Sequence, residues 1–199
     1  MAADVELTGA VRAALRGAAQ PDLARPTQAY MKSATPFLGV RVPVMRTLTR
    51  AEAKLRPFTT SADLIDTVLR LWREAGYREE RYAAITLPGT PTARRLRDPA
   101  VLQTLEELIV TGAWWDYVDE LAHRAGDLLA GWPAEVRPAL LTWPRSDHRC
   151  TREQITSSTE ASGSGTASAP LASRVASTSA SALRRRSRPW HRPAGFQCV

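Results

Sequence analysis

Across the first 145 or so residues of this chain, apolar side chains recur every third or fourth position, in short runs cut off by proline or glycine. That period belongs to α-helices, because a strand would alternate at every second residue, and such alternation is nearly absent here. The pattern predicts an all-α fold. Over residues 4–18, Val5, Leu7, Val11, Ala14 and Leu15 share one broad face. Residues 21–26, bounded by Pro21 and Pro26, break the pattern, and TQAYMK leads into TPFLGVRVP, where two prolines flanking a glycine force a loop. Pro43 suits the first turn of the next helix. In SADLIDTVLRLWREA, Ser61 is the candidate N-cap, and Leu64, Val68 and Trp72 form a stripe beside Ile65 and Leu69. REERYAAITL, DPAVLQTLEELIVTG (which Gly112 can end), WWDYVDELAHRAGDLLAG and PAEVRPALLTW supply the later helices. Short helices with short loops stack as a solenoid of helix pairs or as a compact bundle, and no exact internal repeat decides between them.

A chain of 199 residues, 44% hydrophobic, supports one core of ordinary size. The expected organisation is a helical domain over 1–150 and a tail over 151–199. The tail holds ten serines, eight alanines and seven large apolar side chains in 49 positions, too few for a packed unit, so disorder is expected. The two cysteines, Cys150 and Cys198, make no CxxC and no His/Cys cluster, which predicts no metal, no cofactor and no disulfide framework. No apolar run reaches bilayer length and the acid-bearing N-terminus lacks a signal-peptide pattern, so no membrane association and a cytoplasmic location are expected.

The net charge of +7 divides unevenly: residues 1–149 carry 20 Lys/Arg against 18 Asp/Glu, a net +2, and residues 150–199 carry 7 against 2, a net +5. Any polyanion binding by the helical part must therefore come from the placement of its basic residues. The ARRLR cluster (93–97) is one candidate for backbone contact, and RRRSRPWHR (184–192) for non-specific contact.

The segment TGAWWDYVDELAH (111–123) sets two tryptophans against two carboxylates. On a helical wheel, Trp114 joins Val118, Leu121, Ala125, Leu128 and Leu129 as the core stripe. Trp115, Asp119 and His123, at i, i+4 and i+8, fall together on the neighbouring flank, and Asp116, Glu120 and Asp127 face solvent. Three readings of the flank stand side by side: ordinary packing and solvation, a cation site made by an indole and a carboxylate, or an aromatic anchor for a protein partner.

Two strings, QAYMKSATPFLGVRVPVMR (28–46) and GAWWDYVDELAHRAG (112–126), resemble hallmark segments of the AlkD-like DNA alkylation repair family, in the same order and about 80 residues apart. The resemblance runs over about residues 5–150. It implies a HEAT-like helical-repeat solenoid curved around double-stranded DNA and monofunctional glycosylase activity on cationic N3- or N7-alkylated purines, acting as a monomer. It also implies that Trp115 lies against the deoxyribose of the damaged nucleotide, that Asp119 is the catalytic carboxylate, and that Tyr30, Lys32 and Arg46 contact the duplex. An alkylated purine is already a good leaving group, so the chemistry needs no general acid. A carboxylate near the anomeric carbon opposes the developing oxocarbenium charge and orients water. Action from the sugar edge leaves the base stacked, unlike the base-flipping glycosylases. The alternative function is a non-catalytic helical-repeat module that binds DNA or a protein.

The resemblance stops after LLTWPRSDHRC. There the family pattern places a tryptophan, a spacer and a basic pair, and this chain has RCTREQITSS, with Arg152 the nearest match and Glu153 beside it. The abrupt change of composition predicts a frameshift near codons 149–155 and an incomplete repeat stack. Translating the other two frames tests this: a continued helical repeat is expected, and its absence rejects the idea.

Overall fold

The computed structural model describes residues 2–143. Over this span the chain is all-α, with no strand among the described residues. Its helices are α1 (Ala2–Gly17), α2 (Pro21–Met31), α3 (Val42–Leu55), α4 (Ser61–Arg73), α5 (Arg78–Thr86), α6 (Pro91–Arg94), α7 (Val101–Gly112), α8 (Trp115–Gly131) and α9 (Pro133–Thr142). The expected boundary at 150/151, the tail, the frameshift and Arg152 lie outside the described residues. The described residues divide between two compact units, one ending at Thr104 and one beginning at Leu105. No described helix is long and apolar enough to cross a membrane.

In the first unit α1, α3, α4 and α5 pack on one another. Each of the first three offers an apolar stripe at helical spacing: Leu7, Val11 and Leu15 on α1, Met45 and Ala53 on α3, and Leu64, Val68, Leu71 and Trp72 on α4, all buried. Burial of such side chains is worth about 1.5–3 kcal/mol each, which is what holds short helices of middling propensity in place. Val5, expected on the α1 core face, is 54% exposed, and Thr8 is buried instead.

Two boundaries differ from expectation. Residues 21–26 do not interrupt helix: Pro21 starts α2 and Pro26 lies inside it. A proline in the first turn costs no hydrogen bond, and Pro26 and Asp22 are both exposed, so the Asp22 carbonyl that loses a helical donor is open to water. At α4, Thr60 and not Ser61 is the N-cap. Its hydroxyl accepts from the Asp63 amide at 3.1 Å, and the Asp63 carboxylate accepts from the Thr60 amide at 3.1 Å, a complete capping box.

In the second unit α8 packs against α9. Leu121, Ala125, Leu128 and Leu129 of α8, and Val136 and Leu140 of α9, are buried. Trp114 departs from the expected core position. Ala113 takes a left-handed φ of 45° after α7, and Trp114 is the extended N-cap of α8 (φ −135°, ψ 135°), so its side chain never enters the wheel. It is half-buried, and Tyr117, 1% exposed, fills the core at the start of α8.

Candidate functional site

The start of α8 carries the first candidate group. Trp115 is its first residue and half-buried, and Asp119 and His123 follow at successive turns, both exposed. The spacing places all three on one face of the helix. The His123 ring is anchored to that face through Nδ1, 2.7 Å from the Asp119 carbonyl oxygen. Asp116 accepts from the Tyr117 amide at 2.9 Å, and Asp119 stands one turn after Trp115 on the same helix face. Glu120 is engaged by Arg124, which also reaches Asp127. An indole and a carboxylate one turn apart on an accessible surface form a group suited to positive charge.

The second group lies in the first unit, around the loop that joins α2 to α3. Tyr30, 80% exposed, is near the end of α2, and Lys32, also exposed, caps that helix in a left-handed conformation (φ 47°, ψ 37°). The Lys32 amide donates to the Ala29 carbonyl and the Ser33 amide to that of Gln28, closing the helix. Arg46 is half-buried in the first turns of α3. Between them Phe37, Leu38, Gly39 and Val40 are buried. Gly39 has φ +81°, and a Cβ there would lie 2.2 Å from the Gln20 carbonyl oxygen, so the backbone of this loop lies directly on the start of α2.

The residues that hold this loop were missed by pattern reading. They are the charged first turn of α5. Glu79 is 1% exposed, and its carboxylate accepts three consecutive backbone N–H groups, from Leu38 at 3.0 Å, Gly39 at 2.9 Å and Val40 at 3.1 Å. Arg78, 4% exposed, donates its backbone N–H to the Pro36 carbonyl at 2.9 Å and its guanidinium to Ser33 Oγ at 3.3 Å and to the Tyr82 hydroxyl at 3.0 Å, with Phe37 and Tyr82 rings beside it. Glu80, also buried, takes the Gly76 amide at 2.9 Å and faces Arg12 and Arg16 of α1. A buried charge survives only when partnered, and each of these is. The available signal is three charged residues in the first turn of a helix whose remaining residues include the mostly apolar YAAIT.

A cleft of about 230 Å³ opens beside Glu6, Leu55, Arg56, Phe58 and Asp63. Its charged side chains are engaged: Arg56 pairs with Glu6 at 3.1 Å and with Glu52 at 2.6 Å, and the Asp63 carboxylate accepts from the Thr59 hydroxyl and the Thr60 amide. The described residues contain no group of three or more His, Cys, Asp or Glu arranged to hold a metal ion.

The described residues, all-helical, set an indole and a carboxylate on one helix face, and exposed basic and aromatic side chains around a closely held loop, groups suited to a cation and to a polyanion. The model of the family described as DNA alkylation repair enzyme matches residues 11–158, and the chain belongs to that family. Its role is in DNA repair. No curated protein matches the chain.

Proposed function

We propose that the protein is a DNA glycosylase that hydrolyses the N-glycosidic bond of cationic N3- or N7-alkylated purines in double-stranded DNA. The observation that carries this reading is the pair Trp115 and Asp119, one turn apart on the accessible face of α8 in a chain of the alkylation repair family. The indole packs against the deoxyribose. The Asp119 carboxylate lies against the anomeric carbon, offsets the oxocarbenium charge as the bond to the purine breaks, and takes a proton from the attacking water. The purine leaves with the electrons of the broken bond and becomes neutral, so no residue has to protonate it.

Tyr30, Lys32, Arg46 and Arg152 contact the phosphate backbone, which positions the duplex without reading sequence. The helices stack as HEAT-like repeats, and the protein acts as a cytoplasmic monomer without metal or cofactor. Incubation with duplex containing 7-methylguanine tests the reading. Free 7-methylguanine and an abasic strand are expected. Duplex binding with no base released would make the protein a non-catalytic DNA-binding module instead.

A further inference from the structure

The α2–α3 loop is held almost entirely from outside itself. Its amides at Leu38, Gly39 and Val40 converge on one buried carboxylate, Glu79, and its Pro36 carbonyl and Ser33 hydroxyl are taken by Arg78. One end of the loop continues from Tyr30 on α2 and from Lys32 at its C-cap, and the other leads through exposed Arg41 into α3 and Arg46. Only glycine at position 39 fits against the backbone at Gln20 and Ala24, so the loop is packed on the start of α2 without room for a side chain.

We propose that Glu79, with Arg78, is a positioning residue for duplex binding: it fixes the loop that sets Tyr30 on α2 and Lys32 at its C-cap relative to Arg46 on α3. This rests on the reading that those three side chains contact DNA. Neither Arg78 nor Glu79 can itself reach a duplex, since both are buried and engaged. The carboxylate outranks other anchors because one side chain satisfies three adjacent donors, and buried amides left without an acceptor would open the loop to water.

The substitution Glu79→Gln separates this role from plain electrostatics by sign. Removing an acid from a DNA-binding protein strengthens attraction to a polyanion. Loss of positioning weakens it, because the amide NH₂ now meets backbone N–H groups. Binding to an undamaged duplex, measured by fluorescence anisotropy over a salt series, is expected to weaken at least tenfold. The slope of log K against log salt should become shallower by about 0.9 for each phosphate that the protein no longer neutralises. A slope reports the phosphates engaged by folded protein, which a mere drop in stability does not change. Lys32→Ala should weaken the parent and add little in the Glu79→Gln background.

Unchanged or tighter binding by Glu79→Gln overturns the proposal, as does weaker binding at unchanged slope that tracks a loss of helical signal. If Glu79→Gln does not fold, Ser33→Ala decides in its place, since it removes only the hydrogen bonds of one hydroxyl to Arg78 and Thr35. A smaller weakening with a shallower slope supports the proposal, and unaltered binding overturns it. A parent that binds duplex but releases no base fails the glycosylase reading and leaves this one standing. A parent that binds no duplex overturns both.

Discussion

Gly39 stands where two constraints meet, a φ of +81° that L side chains rarely adopt and a backbone oxygen at 2.2 Å from where a Cβ would be. Either alone is costly. Together they predict that Gly39→Ala destabilises the first unit by at least about 2 kcal/mol, from left-handed strain plus the shift of the α2 start. For a unit of this size that lowers the melting midpoint by roughly 8 °C or more, readable by circular dichroism. A midpoint within a degree or two of the parent would mean that the loop and α2 are not locked together. Gly9 and Gly17 are the internal comparison, because a Cβ at either meets nothing within 4 Å. Alanine at Gly9, inside α1, should be neutral or stabilising by up to about 1 kcal/mol.

Among the elements, α4 has the most complete start. Thr60→Ala removes one side of its capping box and is expected to cost about 1 kcal/mol, measured by denaturant unfolding. The same box makes α4 sensitive to acid. The Thr59 hydroxyl chiefly holds the Asp63 carboxyl below its usual value of 3.8; desolvation pushes the other way, and the Thr60 hydroxyl and both amides add to the lowering. A carboxyl depressed in the folded state contributes stability that is fully present above the unfolded value and is lost as pH falls through the folded one. Parent and Asp63→Asn should therefore converge in stability as pH drops below about 4 and differ above it. A difference that stays constant from pH 6 to pH 3 would contradict this assignment.

Element by element, the helices were legible because their apolar residues repeat at 3.6, and α1, α4 and α8 bury most of the stripes that the wheel picks out; Val5 is exposed, and Ala14, Ile65, Leu69 and Trp114 are half-buried. Start signals were less legible. Thr60 and Ser61 are chemically equivalent caps in sequence, and only backbone dihedrals separate them. Pro26 reads as a breaker, but the interruption costs little on an exposed helix face. Trp114 left the stripe because of a turn at Ala113, a left-handed residue one position after Gly112, the glycine that marks the end of α7. The α5 charges were the largest omission. Pattern reading sends Arg78, Glu79 and Glu80 to water, whereas the partners that allow Glu79 inside are amides 39–41 positions earlier in the chain. No local window contains both.

For the whole molecule, residues 1–149 are close to electroneutral, so affinity for duplex depends on where the basic side chains stand and not on net charge. Lys32→Ala and Arg46→Ala are each expected to weaken binding to damaged and undamaged duplex alike and to reduce the salt slope by about 0.9, as phosphate contacts do. A loss confined to damaged duplex would place either residue at the lesion. The central claim, that Asp119 beside Trp115 stabilises a cationic sugar, is tested most directly by single-turnover release of 7-methylguanine from duplex DNA by the parent and by Asp119→Asn at saturating protein. The account predicts release by the variant to be about 10²–10³-fold slower with duplex affinity kept, the cost of removing an electrostatic stabiliser of the transition state. Equal rates for parent and variant would contradict it.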